Sequence, residues 1–171
     1  AAATDGPISV SGWVDTVPHW SNWPGSATMA RRTLASPVEV AGTGLHTGAS
    51  TVVRLGPGEA GAGIVFRRDD LPGAPTIPAR VGEVHATERR TSLARGAASV
   101  DTVEHLMAAL YALQLDDVLI AIDGPEPAIL DGSFLPWFQA LSAAGIAERE
   151  GDPAVLRVTH PFPVREGEAS Y

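Results

Sequence analysis

The residues best suited to chemistry are Glu104 and His105, which lie together near the start of a predicted helix. A neutral imidazole is a common metal ligand, and the positive end of a helix dipole disfavours the imidazolium form. A carboxylate beside such a ligand can take a proton from water. The pair indicates metal-assisted hydrolysis, although a catalytic zinc site needs three protein ligands and this motif contains one histidine.

A structural role explains the same two residues. Asp101 suits the N-cap of the helix, and Glu104 three residues later would complete a capping box. His105 would then be a polar residue on a solvated face. Spacing alone favours this structural interpretation over the chemical one, so both stay open.

Two further positions could line a site. His46 lies in the glycine-rich connection Ala41–Gly48, where glycines permit positive φ and close backbone approach. It is either a pocket residue or an ordinary polar loop residue. Asp131 precedes a second predicted helix, and we expect it to order the turn or the helix start, with catalysis as the alternative. His85 and His160 fall at strand edges and are expected to be structural.

Composition excludes several classes of mechanism. The chain has no cysteine, and all 12 basic residues are arginine. Disulfides, thiolate nucleophiles and lysine Schiff bases are therefore absent. A net charge of −8 argues against nucleic acid as a partner. The longest apolar run, Leu106–Leu113, is far shorter than the roughly 20 residues of a transmembrane helix.

The helix that carries Glu104 and His105 is predicted at Ser99–Leu113, where apolar side chains recur at helical spacing. At about 100° per residue, Glu104 and His105 point away from that stripe and from the core beneath it. The stripe consists of Val103, Leu106, Met107, Leu110 and Leu113.

Short strands and a second helix surround this element. Asp116–Asp123 is mostly apolar, which is typical of a strand buried on both faces. A helix is predicted at Phe134–Ala144, capped by Ser133 and ended by Gly145, and a charged linker at Glu148–Pro153. The other predicted elements are strands at Thr33–Val40, Thr51–Leu55, Gly63–Arg67, Ile77–Val84, Thr91–Ala94 and Ala154–Val158, a rigid turn at Gly124–Pro127 and a hairpin turn at Arg165–Gly167.

This order of elements predicts an α+β fold. We expect a two-layer domain in which one mostly antiparallel sheet is covered by a helix pair. Three segments are predicted: an irregular N-terminal extension at 1–28, a first domain at 29–150, and the opening strands of a truncated second domain at 151–171. The predicted strands after residue 151 have no partner strands, because the second domain to which they would belong is incomplete in this sequence. We therefore interpret the sequence as the front part of a longer protein.

Three sequence blocks make the chain recognisable. They are RRTLASPVEVAGTGLHTG (31–48), IVFRRDDLPG (64–73) and a block at 101–133 that contains TVEHL, GPE and DGS. In this order and spacing, the sequence resembles the UDP-3-O-acyl-N-acetylglucosamine deacetylases, which are zinc enzymes of lipid A biosynthesis. The resemblance covers about 30–171, which is all but the extension.

The resemblance implies a fold and a catalytic centre. It implies two similar α+β domains, with the missing second domain packed on the helix layer of the first. Glu104 falls on the general base and His105 on one zinc ligand. The other two zinc ligands are expected beyond Tyr171, so the chain alone is expected to be inactive.

The resemblance also implies a cytoplasmic enzyme that acts on a nucleotide-sugar lipid. Removal of its N-acetyl group is the committed step of lipid A biosynthesis. Leu45 and His46 are expected at the pocket edge. The loop before the helix departs from the family pattern at residues 87–91, so Arg89 or Arg90 could instead approach a phosphate, which arginine binds in a bidentate manner.

A second class of function stays open, namely a non-catalytic α+β binding or interaction module. Such a module would behave as a clean monomer in light scattering. An orphaned half-enzyme should aggregate or pair through the apolar helix surface that its second domain would cover. A degraded gene product without function is the third alternative.

Overall fold

The computed structural model describes residues 30–151, 163–167 and 169–170. The predicted extension at 1–28, the predicted strand Ala154–Val158 and His160 lie outside the described residues. The helices are α1 Glu104–Ala112 and α2 Leu135–Ala144. The strands are β1 Arg31–Leu34, β2 Val38–Thr43, β3 Ser50–Pro57, β4 Ile64–Arg68, β5 Thr76–Pro78, β6 Val84–Ala86, β7 Ser92–Arg95, β8 Ala98–Val100, β9 Val118–Ile122, β10 Ile146–Arg149, β11 Arg165–Glu166 and β12 Ala169–Ser170.

Five strands form the central sheet in the order β2-β3-β9-β4-β5. Neighbouring strands are antiparallel except β4 and β9, which run parallel with Phe66 opposite Ile120. Strand β9 lies in the middle of the sheet. Its residues Ile120 and Ile122 are fully buried, and Ala121 on the opposite face is also buried. The prediction of a strand covered on both faces is thus confirmed.

Smaller pairings complete the fold. Strands β6, β7 and β8 form an antiparallel sheet, and β1 pairs with β10 so that Arg31 lies opposite Arg149. Strands β11 and β12 form an antiparallel hairpin, which confirms the predicted turn at Arg165–Gly167.

Both helices bury one face in a core shared with the central sheet. The helix residues of this core are Leu106, Ala109 and Leu110 from α1, and Trp137 and Leu141 from α2. The predicted stripe of α1 is confirmed, with Met107 and Leu113 partly buried at its margin. The observed fold is α+β, with a mostly antiparallel sheet and two packed helices. Neither helix in the described part of the chain is long and apolar enough to cross a membrane.

Two predicted strands are each divided in the structure. Thr33–Val40 is interrupted at residues 35–37, since Pro37 has no amide hydrogen to continue a ladder. Strand β1 therefore pairs with β10, and β2 pairs with β3. Ile77–Val84 is likewise divided into β5 and β6 by a 3-10 turn at Val81–Glu83. The predicted linker Glu148–Pro153 begins inside β10, because that strand completes the pairing of β1.

A buried ion pair fixes β1 against the start of β9. The guanidinium of Arg31 lies 2.6 and 2.7 Å from the two carboxylate oxygens of Asp117, which is fully buried. Asp117 also accepts the Gly63 amide at 2.8 Å. Burial raises the pKa of Asp117, but the hydrogen bonds from Arg31 and Gly63 outweigh it and hold the pKa below its usual value.

Candidate functional site

The helix that carries Glu104 and His105 begins later than predicted. Helix α1 starts at Glu104, with Val103 at its N-cap and no capping side chain. Thr102 just before it has a φ of 52°, a left-handed conformation that an α-helix does not contain. The predicted helix Ser99–Leu113 is therefore too long at its start, and residues 98–100 form β8 instead.

The predicted capping box is wrong. The Asp101 amide donates to the Pro125 carbonyl at 2.8 Å. Glu104 Oε1 instead accepts a hydrogen bond from the Thr91 amide, and Oε2 is buried with no hydrogen-bond partner among the described residues. The carboxylate thus points toward the loop that ends at Thr91, rather than into solvent. An unpartnered buried oxygen is costly, so a hydrogen-bond donor or a cation beside it would be stabilising.

His105 follows Glu104 in the first turn of α1 and is half-buried. Asp131 precedes the start of α2. Hydrogen bonds from the Ser133 amide and hydroxyl, both 2.8 Å, hold the pKa of Asp131 below its usual value. The predicted structural role of Asp131 is confirmed. The predicted cap is not, because Phe134 occupies the N-cap of α2 while Ser133 Oγ accepts the Leu135 amide at 3.2 Å.

Leu45 and His46 lie on a tight turn, residues 44–49, called the His46 loop below. The Gly44 amide donates to the Ala49 carbonyl at 2.9 Å, and the Gly48 amide donates to the Gly44 carbonyl at 3.1 Å. Leu45 is 55% exposed, and His46 is also exposed. Both predicted substrate-binding side chains are therefore accessible from solvent.

Glu126 anchors the His46 loop, and the sequence analysis missed it. Its buried carboxylate accepts the His46 amide at 3.1 Å, and the Thr47 amide and hydroxyl each at 2.9 Å. A Cβ atom on Gly44 would lie only 2.5 Å from Glu126 Oε2, so the loop requires glycine there. The available signal was an acidic residue between two prolines directly after a buried strand, in a segment predicted only as a rigid turn.

The segment that contains Glu126 also contacts the approach to α1. Burial raises the pKa of Glu126, but the donors around its carboxylate, among them the Thr47 and His46 amides, lower it further, so the net pKa lies below the usual value. The carboxylate is therefore charged at neutral pH. The carbonyl of the neighbouring Pro125 accepts the Asp101 amide at 2.8 Å, so this segment contacts both the His46 loop and the approach to Glu104.

Arg89 and Arg90 lie in the loop whose last residue, Thr91, holds Glu104. Arg89 is exposed and has a φ of 60°. Arg90 is half-buried and pairs with Asp101 at 3.6 Å. The structure brings the backbone of this loop to Glu104, and a phosphate contact by either arginine stays a prediction.

The described residues contain no complete set of metal ligands. In residues 30–151 and the short described segments after them, no three His, Asp or Glu side chains are placed to hold one ion. His105 is the ligand predicted here, and the unpartnered oxygen of Glu104 next to it suits a position facing water near an ion. The described residues thus fit part of a metal site and not a complete one.

This chain is similar to known proteins over most of its described residues. A family model described as UDP-3-O-acyl N-acetylglycosamine deacetylase matches residues 31–171. UDP-3-O-acyl-N-acetylglucosamine deacetylase from Thermosynechococcus vestitus is 42% identical over 139 residues, which is 81% of this chain and 49% of that protein. The protein of the same name from Citrifermentans bemidjiense is 43% identical over 138 residues, or 81% of this chain and 45% of that protein.

A two-activity protein is also similar. The bifunctional enzyme LpxC/FabZ from Chlorobaculum tepidum is 42% identical over 120 residues, which is 70% of this chain and 26% of that protein. The chain spans about half the length of the first two relatives.

Proposed function

The chain belongs to the UDP-3-O-acyl N-acetylglycosamine deacetylase family, and we propose that it supplies part of the active site of such a deacetylase. The proposed reaction is hydrolysis of the N-acetyl amide of UDP-3-O-acyl-N-acetylglucosamine. Water attacks the amide carbonyl, the carbon–nitrogen bond breaks, and acetate and a free amine result. This is the step that commits the nucleotide-sugar lipid to lipid A.

The carboxylate of Glu104 is the observation that carries the proposal. A general base needs a fixed orientation and a lone pair that no other donor occupies. The Thr91 amide fixes Oε1, while Oε2 is buried and has no hydrogen-bond partner within the described part of the chain. We assign to Oε2 the acceptance of the proton from the attacking water. In a capping box, this carboxylate would accept a hydrogen bond from the backbone amide of the N-cap residue. It accepts one from the Thr91 amide instead, which argues against a capping role.

His105 is proposed as one zinc ligand. An imidazole suits Zn²⁺, and this one is half-buried beside the proposed base. Zinc bound there would polarise the amide carbonyl and make water more acidic. The other ligands must come from residues outside the described ones, because those contain no three-ligand cluster. We therefore expect the chain alone to be inactive.

The substrate contacts follow from exposure and charge. Leu45 offers an exposed apolar surface and His46 an exposed polar one, on a loop that Glu126 fixes. Arg89 and Arg90 add positive charge to the loop behind Glu104, which suits the diphosphate of a nucleotide sugar. A second domain packed on the helices and a cytoplasmic location belong to the same proposal, and the family membership supports both.

Substitution of Glu104 tests the assignment in an enzyme of the family's full length that contains these residues. Glu104→Gln keeps the shape but not the base, so kcat should fall by about 10²–10⁴-fold. Zinc content should stay unchanged, whereas His105→Ala should lose zinc. Glu88→Gln changes an exposed glutamate in the neighbouring loop and serves as the matched control. Normal turnover by Glu104→Gln would contradict the assignment of Glu104 as the general base.

The incomplete ligand set has its own test on the 171-residue chain. Calorimetric titration with Zn²⁺ should show no tight one-to-one site, because a single imidazole binds the ion weakly. A tight stoichiometric site would contradict the assignment of the other ligands to residues outside the described ones.

A further inference from the structure

The proposed mechanism gives no role to the buried carboxylate of Glu126. Glu126 is 1% exposed, and its carboxylate takes hydrogen bonds from backbone amides and hydroxyls. None of its contacts within the described part of the chain is an ion pair with arginine. A charge held in this way is expensive to bury. Such a carboxylate is retained where its oxygens accept hydrogen bonds from several groups and thereby hold those groups in one arrangement.

On one side, Glu126 sets the conformation of the His46 loop. The amides of His46 and Thr47 converge on the same carboxylate, at 3.1 and 2.9 Å. Gly44 approaches Oε2 so closely that a methyl group would not fit. The loop backbone is therefore seated on Glu126, while the side chains of Leu45 and His46 remain exposed.

On the other side, the same segment holds the approach to α1. The Pro125 carbonyl, next to Glu126 in the chain, accepts the Asp101 amide at 2.8 Å. Thr102 has a φ of 52°, an uncommon conformation for a β-branched residue, so its surroundings must hold it in place. Two residues later the chain reaches Glu104.

We propose that Glu126 is a positioning residue, which fixes the His46 loop relative to the first turn of α1. The Pro125–Glu126 segment forms the bridge: the Glu126 carboxylate holds the turn that presents Leu45 and His46, and the Pro125 carbonyl holds the segment that leads into Glu104 and His105. Resting on the proposed function, this makes Glu126 a determinant of how substrate held by the loop meets the base. Glu126 does not touch the reacting atoms and acts through His46.

Hydrogen exchange in the 171-residue chain tests the bridge without any activity. Glu126→Gln has one acceptor oxygen in place of two and turns an NH₂ group toward amide donors. Exchange at the His46 and Thr47 amides should accelerate about 10- to 100-fold, the range for a lost hydrogen bond to a charged group. The Val53 amide in β3 should be unchanged.

Asp123→Asn is the matched control, because Asp123 is exposed and accepts the Val52 amide at 2.6 Å, but accepts neither the His46 nor the Thr47 amide. It should leave the exchange of His46 and Thr47 unaltered. Unchanged exchange at these amides in Glu126→Gln would overturn the bridge. If Glu126→Gln does not fold, Thr47→Val removes the hydroxyl donor from an exposed position, and it should accelerate the same amides by a smaller factor.

A double-mutant cycle in the full-length zinc-loaded enzyme tests the consequence for catalysis. Glu126→Gln should lower kcat/KM about 10- to 100-fold when His46 is present. In a His46→Ala background, the same change should cost less than about 3-fold, because the side chain that Glu126 positions is gone. Zinc content and thermal midpoint, measured on every variant, identify any general loss of structure.

The outcomes separate the two proposals. Equal losses in both His46 backgrounds would overturn the positioning role while leaving the deacetylase assignment intact. If the parent enzyme releases no acetate from the substrate, the proposed function fails. The hydrogen-exchange experiment then still decides whether Glu126 fixes the His46 loop.

Discussion

At Gly44, the space for a side chain is already occupied by Glu126. A Cβ atom there would lie 2.5 Å from both Glu126 Oε2 and Thr47 Oγ1. The three glycines of the surrounding motif look alike in the sequence, but Gly48 has open space around it and a φ of 64°. Close approach thus explains Gly44, and backbone conformation explains Gly48.

Gly44→Ala should therefore destabilise the protein. We expect a loss of about 1–3 kcal/mol in the free energy of unfolding, because the added methyl must displace the buried carboxylate. Gly82→Ala is the control, since a Cβ at Gly82 meets nothing within 4 Å. Urea unfolding should find Gly82→Ala within about 0.5 kcal/mol of the parent. Equal stability of the two variants would contradict the close approach seen at Gly44.

At the scale of single residues, the local sequence places a side chain in its element, while the chemical roles of Glu104 and His105 stay predictions. Glu104 and His105 were identified as candidates by their place in the first turn of a helix, and both lie there. Glu126 was missed because its partners lie about 80 positions earlier in the chain. Nothing local distinguishes a turn glutamate from one that organises a distant loop.

At the scale of elements, the two helices show what periodicity determines. The apolar stripe of α1 follows from helical spacing, and its predicted residues Leu106 and Leu110 are buried, together with Ala109, which was not predicted. The predicted start of α1 was several residues too early, because Thr102 has a positive φ, which its residue type does not reveal. Helix α2 ends as predicted at Gly145, whose φ is 75°.

Trp137 and Tyr111 distinguish the buried and exposed faces of the helices. Trp137 of α2 is fully buried and donates its indole N–H to the Ala128 carbonyl at 3.3 Å, whereas Tyr111 of α1 is 86% exposed. Trp137→Ala should lower the free energy of unfolding by about 3–5 kcal/mol, through the cavity it leaves. Tyr111→Ala should change it by less than about 0.5 kcal/mol. Thermal or urea unfolding compares the two, and similar losses would contradict the assignment of the helix faces.

At the scale of the whole molecule, two buried carboxylates connect distant parts of the chain. Asp117 joins β1 to the start of β9, and Glu126 joins the His46 loop to the turn that follows β9. Hydrogen bonds lower the pKa of both carboxyl groups despite their burial. Each therefore links the stability of the fold to pH.

The sign of this linkage follows from the direction of the shifts. A carboxyl group with a lower pKa in the folded state stabilises fully above its unfolded value, about 4 for these groups. That contribution is lost as the pH falls through the folded value. The free energy of unfolding should therefore decline below about pH 4.

Asp117→Asn tests this assignment. The variant should lose about 3–5 kcal/mol at neutral pH, because it breaks the buried ion pair between Arg31 and Asp117. Its disadvantage should shrink as the pH drops below about 4, where the parent's Asp117 also becomes protonated. Urea unfolding across this range compares the two proteins. A constant difference down to about pH 2 would argue against a lowered pKa for Asp117.

The sequence by itself determined the fold class, the buried central strand, the apolar face of α1 and the resemblance that led to Glu104 and His105. These properties depend on residue type and on spacing over a few turns or strands, which the chain displays directly. Only the tertiary structure decided that β1 leaves β2 to pair with β10, that Thr91 holds Glu104, and that Glu126 seats the His46 loop. Each of these contacts joins positions remote in sequence, so its energy depends on the folded geometry and on no local pattern.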